Sequence, residues 1–325
     1  MSVKRWASYR LIEATFHICD AAVRRLPPKL FRRLCAPLLQ LLIYAVIPRR
    51  RIFRNLTAAF GEAYSPATRK GLAKGVQEHF AKNLTDCFLQ LRDPDHARAT
   101  ITVEGLDKLD AALARGKGVI ALGAHIGNFV LVGTRLGAEG YPFSTLFRLP
   151  SDNRIKEVIA RRLSSYRQRV IPSQPRRIAV RGVVEALKRN EIVLILGDNL
   201  KRGKVDTFFF GQRVPSPRGP VILALRSGAA LVPMYMIRNY QGDLHLVIEP
   251  EVLLIRDGNI YEDVSANTRR IVEYLEKLIA RYPDQWNWLT VRMKRRRRSN
   301  ESAPILTARL GVSRRADAWG EERQA

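Results

Sequence analysis

The feature that most constrains this chain is a set of short, wholly apolar runs that stop abruptly at glycine or at a turn. Residues 192–196 read IVLIL and end at Gly197 and Asp198, and residues 119–122 sit inside the run GKGVIALGAH. Consecutive apolar side chains without polar alternation cannot present either face to water, so such runs read as strands buried on both sides. Residues 144–147, 231–237 and 244–248 read as further strands, the last two joined through the polar turn Tyr240, Gln241, Gly242 and Asp243. Helical patterns lie between and around them, at 67–91, near 152–167, at 178–189, at 218–227 and at about 262–281. No internal repeat is found. Strands alternating with helices predict an α/β fold, a central sheet flanked by helices on both faces. In such sheets ligands collect beyond the carboxyl ends of the strands, which directs attention to the residues after Leu122 and after Leu196.

The charge is unevenly spread. The chain holds 56 Lys and Arg against 30 Asp and Glu, a formal +26, and residues 1–54 alone carry 12 basic and 2 acidic side chains. An excess of this size points to a polyanionic partner: nucleic acid, an anionic membrane face or an acidic carrier protein. The most apolar stretch, residues 34–47 (LCAPLLQLLIYAVI), contains Pro37 and Gln40 and is bracketed by Arg32, Arg33 and Arg49, Arg50, Arg51. A helix crossing the hydrocarbon needs about 20 apolar residues, so this segment is short for a span. Arginines at both ends suit a helix lying at the interface; a buried core helix with charged flanks is the plainer reading. Residues 4–26 form a second amphipathic piece, broken by Pro27 and Pro28. Glu13 and Asp20 interrupt the first apolar stretch, and no cleavable signal peptide is expected. Residues 294–298 are five consecutive bases that open a polar tail, expected to be flexible. The chain therefore divides into a basic, membrane-associating segment (1–54), a body (55–293) and a basic tail (294–325). No nucleic-acid module is found, and nucleic acid is not expected as a partner. Cys19, Cys35 and Cys87 form neither a disulfide scaffold nor a zinc site, and without a metal-ligand cluster or a nucleotide fingerprint no metal and no cofactor is expected.

The chemistry-bearing residues follow the two strands. After the first come Gly123, Ala124, His125, Ile126, Gly127, Asn128 and Phe129. The glycines allow a tight turn, and Asn128 is a plausible cap for a following helix. A neutral His125 there could take a proton from an attacking hydroxyl, while free backbone N–H groups hold the developing negative charge. A loop histidine that merely packs is the bland reading; His17, His79, His96 and His245 lack such a setting and read as structural. After the second strand, Asp198 could orient a histidine or an arginine, or simply cap a turn. Phe208, Phe209 and Phe210 should line a pocket or enter the core, and Ser216 and Arg218, in PSPRGP, could bind a charged or carbonyl group.

HIGN followed by an aromatic resembles the H-x-G-N-W signature of the lipid A biosynthesis (lauroyl/myristoyl-type) acyltransferases. The segment from Gly197 to Arg238 is similar to that family's strand-end Asp, FFG and P-x-G-P blocks, in the same order. Arg54, Asn55 and Leu56, then Phe147 and Arg148 with Asn153, and the run from Pro283 to Trp288 also fall where the family has comparable residues. The resemblance runs from about residue 50 to 293. It implies a glycerolipid-acyltransferase-like fold at the cytoplasmic face of the inner membrane. It implies acyl transfer from an acyl carrier protein or CoA thioester to a lipid hydroxyl, and 55–293 as the acyltransferase domain. Under it His125 and Asp198 are the catalytic candidates, and Asn128, Arg148, Phe210, Gly211, Ser216 and Arg218 the substrate-binding ones. One position departs: the family's acid follows the histidine after four residues, and here that position is Val130. Asp198 could substitute for the acid; the alternatives are a weakened enzyme, a different acceptor chemistry, or a noncatalytic lipid-binding or assembly paralogue.

Overall fold

A computed structural model of the chain describes residues 3–147, 157, 160–161, 163–164, 166–201, 203–291 and 293. Helices α1 (Val3–Arg25), α2 (Pro28–Val46) and α3 (Arg49–Phe60) lead into α4 (Pro66–Gln90) and α5 (Pro94–Thr100). The body runs through β1 (Ile101–Glu104), α6 (Leu106–Leu113), β2 (Val119–Gly123), α7 (Val132–Ala138), β3 (Phe143–Phe147), β4 (Gln168–Pro172), α8 (Arg176–Lys188) and β5 (Ile192–Leu196). It closes with β6 (Val205–Phe209), β7 (Gln212–Ser216), α9 (Gly219–Ser227), β8 (Ala230–Arg238), β9 (Leu244–Ile248) and α10 (Ile260–Arg281). Most of the expected helix near 152–167 and the tail 294–325 lie outside the described residues.

The helix boundaries follow local chemistry. Pro28 occupies the first turn of α2, where its missing N–H costs nothing. Ser65 Oγ accepts from Thr68 N–H to cap α4, and Asn259 Oδ1 accepts from the N–H groups of Tyr261 and Glu262 to cap α10.

Among the described residues seven strands form one sheet in the order β1-β9-β8-β2-β5-β3-β4. The run β8-β2-β5-β3-β4 is parallel; β9 joins β8 antiparallel, and β1 lies parallel to β9. The apolar runs do face two cores. Ile120, Leu122, Val193, Ile195 and Leu231 point to one side, into a core they share with α8, α9, α10 and the N-terminal helices α3 and α4. Val119, Ala121, Ile192, Leu194 and Val232 point to the other, onto α6 and α7. Both faces being covered, neither polar alternation nor slippage is tolerated at β2 and β5.

Three sequence expectations are modified. The boundary at 54/55 falls inside α3, and Asn55 donates to the carbonyl oxygens of Trp288 (2.7 Å) and Val291 (3.1 Å), so a charge transition is not a fold boundary here. Helix α2 is neither wholly core nor wholly exposed. Phe31, Cys35, Leu39 and Leu42 are buried, the first three packing with Phe88 and Leu89 of α4, while Leu30, Leu34, Leu38 and Leu41 are exposed. No single described helix is long and apolar enough to cross a membrane; α2 and α3, bent by 69°, meet that length and composition only as a pair. Lastly, the three phenylalanines separate. Phe208 is 67% exposed because β6 alternates, whereas Phe209 and Phe210 are fully buried. Phe210 and Gly211, with φ of 48° and 71°, form the two-residue turn of the β6–β7 hairpin. The Phe210 ring packs 5.1 Å from Phe60 and 5.8 Å from Trp288.

Phe210→Ala should therefore destabilise the protein by about 3–5 kcal/mol, while Phe208→Ala should stay within about 0.5 kcal/mol of wild type. Equilibrium denaturant unfolding of the two variants checks the contrast.

Candidate active site

Strands β2 and β5 are neighbours in register, Gly123 opposite Leu196, so the residues that follow each strand emerge side by side. Two positions beyond each end stand His125 and Asp198. Asp198 is fully buried and accepts three hydrogen bonds. Its Oδ1 accepts from His125 Nδ1 at 2.8 Å; its Oδ2 accepts from the His125 backbone N–H at 2.8 Å and from Trp286 Nε1 at 2.7 Å. An ionised carboxylate only accepts, so Nδ1 carries the proton and Nε2 is left with its lone pair. The His125 side chain is 27% exposed, and Nε2 makes no hydrogen bond to any described residue.

Burial is the strongest influence on the ionisation of both groups, and it opposes charge. At His125 the charge and hydrogen bond of Asp198 together outweigh burial, while Lys201 works against them; the imidazole is held above its ordinary range. At Asp198 burial is likewise overcome, by the charge and hydrogen bond of His125 and by the Trp286 and backbone donors, and the carboxyl lies below its usual range. The pair is thus polarised toward a proton-accepting Nε2 backed by a buried negative charge.

The turn that carries His125 is stitched down on every side. His125 C=O accepts from Asn287 N–H, Gly127 N–H donates to Gln285 C=O, and Asn128 N–H donates to Met236 C=O, each at 2.9 Å. Gly127 has φ of +54°, and a Cβ there would lie 1.7 Å from Met236 O, so only glycine fits. These contacts correct two expectations. The backbone N–H groups of His125, Gly127 and Asn128 are engaged within the protein and are not free for a substrate oxyanion. Asn128 caps no helix: its Nδ2 donates to Asn83 C=O at 3.1 Å and its Oδ1 accepts from Cys87 Sγ at 3.4 Å.

The other sequence candidates sit elsewhere. Ser216 is fully buried and hydrogen-bonded to Thr207 Oγ1 at 2.7 Å, so its hydroxyl serves the β6–β7 hairpin. Phe210 and Gly211 are the tip of that hairpin and reach the site only through packing: Phe210 against Trp288, Trp288 against Trp286 at 4.8 Å, and Trp286 onto Asp198. Arg218 precedes α9, half-buried, with no partner for its Nε among the described residues. Arg148 lies outside the described residues. Val130 is exposed, in the 3₁₀ turn Phe129–Leu131, and supplies no acid. Sequence reasoning passed over Asn83, which is far from His125 along the chain and carries no spacing signal; Gln285 and Lys201 fell inside the blocks that carry the family resemblance but were given no role. It read His79 as structural, and His79 Nε2 does meet Asp284 Oδ2 at 3.2 Å, but with only 11% and 2% side-chain exposure. Among the described residues no group of His, Cys, Asp and Glu could hold a metal ion.

A mostly parallel sheet covered on both faces, with a histidine and a carboxylate delivered by adjacent loops at the carboxyl ends of its parallel strands, places the protein among the α/β enzymes whose chemistry sits on strand-end loops. Residues 8–295 match the family of bacterial lipid A biosynthesis acyltransferases, to which the chain belongs; it is an acyltransferase. It is 31% identical over 249 residues to the lipid A biosynthesis palmitoleoyltransferase of Escherichia coli (strain K12), covering 75% of this chain and 78% of that one. It is 31% identical over 194 residues to the phosphatidylinositol mannoside acyltransferase of Mycobacterium tuberculosis (strain CDC 1551 / Oshkosh), covering 58% of each. It is 26% identical over 251 residues to the lipid A biosynthesis lauroyltransferase of Escherichia coli (strain K12), covering 75% of this chain and 78% of that one.

Replacing Asp198 removes what holds the His125 pKa up and leaves the burial that pushes it down. In Asp198→Asn the His125 midpoint should fall below the ordinary imidazole value of about 6.5, whereas in wild type it lies above it. Imidazole resonances followed by NMR across the titration check both signs.

Proposed function

We propose that this protein is a membrane-associated acyltransferase that moves a fatty acyl chain from a thioester, on acyl carrier protein or CoA, to a hydroxyl of a lipid A precursor or related glycolipid. The observation that carries the reading is the His125–Asp198 contact with Nε2 unengaged, in a member of this acyltransferase family. The named activities of its relatives, on lipid A and on phosphatidylinositol mannoside, support a glycolipid acceptor.

In the reaction His125 Nε2 accepts the proton of the acceptor hydroxyl as its oxygen forms a bond to the thioester carbonyl carbon. Asp198 stabilises the imidazolium. The tetrahedral intermediate then expels the thiolate, which takes the proton back from Nε2, leaving an ester and a free thiol. With the N–H groups of His125, Gly127 and Asn128 engaged, cations are offered as counter-charge for the oxyanion. Lys201, whose charge is felt at His125, is the candidate among the described residues, while Arg148 and Arg218 keep their roles from the family resemblance. Asn128 shapes the turn. Asp198 takes over the task that the family pattern gives to the acid at position 130.

The N-terminal helices supply the membrane association. The exposed leucines of α2 form a stripe next to its buried one, with Lys29 and Arg33 to the side, and such a stripe seats in the interface with its charges among lipid phosphates. In this reading the body sits at the cytoplasmic face of the inner membrane, as the family resemblance implies, with the anionic lipid surface as a partner of residues 1–54.

His125→Ala should lower acyl transfer by about 10²–10⁴-fold with the fold retained. The kcat/KM of wild type should rise with pH through a midpoint above about 6.5, since the base works as the neutral imidazole. Val130→Glu should bring no gain, because Nδ1 already has its carboxylate. An increase in rate for that variant in steady-state assays would mean that Asp198 does not serve as the partner acid. Leu38→Asp combined with Leu41→Asp should weaken binding to vesicles of anionic phospholipid by about 10²-fold or more, each buried leucine contributing about 1.5–3 kcal/mol. Vesicle sedimentation reads that loss.

A further inference from the structure

The peptide of Gly127, two residues beyond the catalytic histidine, lies inside a closed ring of hydrogen bonds made by side chains from three distant elements. On one side, Asn83 of α4 donates from Nδ2 to Gly127 C=O at 2.8 Å. The Oδ1 of the same amide accepts from Arg238 Nη2 at 3.3 Å. Arg238, at the end of β8, is paired through its backbone with the side chain of Gln285 in both directions: its N–H donates to Gln285 Oε1 at 2.9 Å, and its C=O accepts from Gln285 Nε2 at 2.8 Å. The ring closes where Gln285 C=O accepts from Gly127 N–H at 2.9 Å.

The ring is anchored. Arg238 is about nine-tenths buried, and its guanidinium is held by the almost fully buried Asp86 and by Gly242 C=O at 2.8 Å. Asp86 in turn forms an ion pair with Arg32 of α2 at 3.1 Å, so a carboxylate buried beside the ring is neutralised from two sides. One turn of α4 clasps the catalytic turn twice more, since Asn83 C=O accepts from Asn128 Nδ2 and Cys87 Sγ donates to Asn128 Oδ1.

What the ring fixes is the height of the turn. His125 meets Asp198 through both its backbone N–H and its ring Nδ1, at 2.8 Å each, so the ring nitrogen keeps its partner only while the backbone keeps its seat. Gly127 cannot move toward β8, because Met236 C=O already occupies the space a Cβ would take. Release of Gly127 C=O would leave the carbonyl of a buried residue without a partner and let the turn lift on the side opposite β8. We infer that Asn83, oriented by Arg238 and Gln285, is a positioning residue that seats His125 on Asp198. Arg238 also settles which way the amide faces: the cation takes Oδ1, so the donor Nδ2 is turned to Gly127.

The inference rests on the proposed role of His125, so its test combines a readout of position with one of activity. Asn83→Ala removes both ends of the bridge. Asn83→Asp keeps the shape and the Arg238 contact but presents a carboxylate oxygen to Gly127 C=O in place of a donor. The full-length protein in detergent micelles is titrated by NMR at the His125 imidazole. Acyl transfer is measured with lauroyl-CoA and lauroyl-acyl carrier protein as donors and a purified lipid A precursor as acceptor. Both variants should lower the His125 midpoint toward that of Asp198→Asn, and both should lose about 10²-fold in kcat with KM within about threefold of wild type, the expected effect of a misplaced catalytic group. An unchanged midpoint in Asn83→Asp, or wild-type kcat in that variant, would overturn the inference and reduce Asn83 to a partner of Arg238. If Asn83→Ala does not fold, the isosteric Asp variant decides alone. Absence of transfer by wild type on these substrates counts against the proposed function, while the imidazole titration still decides the positioning.

Discussion

A carboxylate with no exposure to solvent sets the terms for this site. Moving a charge such as that of Asp198 out of water costs several kcal/mol after relaxation, and only fixed donors offset it. The protein supplies three: one from the backbone of His125, one from its ring and one from the indole of Trp286. Each donor constrains what surrounds it. The backbone donor requires the turn after β2 to sit low, the ring donor selects the tautomer that frees Nε2, and the indole donor requires the loop around residue 286 to be packed in place. Trp286 is held by Trp288, Phe209 and, through Trp288, by Phe60 and Phe210. The aromatic core and the His125–Asp198 pair are therefore one mechanical unit.

The same requirement explains the glycine of the HIGN turn. After leaving β2, the chain passes His125 to Asp198 and returns at once to β8, where Asn128 N–H bonds to Met236 C=O. Such a return needs a left-handed residue against a neighbouring carbonyl, and a side chain does not fit there. The N–H groups of His125, Gly127 and Asn128 are consumed in holding this return.

The N-terminal helices belong to the fold and still present a surface of their own. Helix α2 gives one apolar stripe to α4 and leaves a second to the outside, and Arg32, flanking the buried stripe, pairs with the buried Asp86. Because α4 also supplies Asn83, the helix proposed to meet the membrane and the turn that carries His125 are braced by adjacent residues on one face of one helix.

Much of this was legible in the residues themselves. Apolar runs only four or five residues long, rich in Val and Ile and ended by glycine, read as strands buried on both faces because they are too short for a buried helix, and the strand ends then locate His125 and Asp198. The H-x-G-N pattern and the ordered blocks after Gly197 carry the family. The role of Phe208 was not legible, because three consecutive phenylalanines do not reveal the strand alternation that turns one of them outward. Nor was the fate of Asn128 and of the turn amides, whose partners lie about 40 residues away on α4 or more than 100 away on β8 and in the 285–287 loop. Sequence alone left open whether Val130 meant a lost acid. Only the tertiary structure decided that Asp198 reaches His125, because the contact depends on β2 and β5 being neighbours in register, and pairing between strands 73 residues apart is settled by packing on both faces of the sheet rather than by any local pattern.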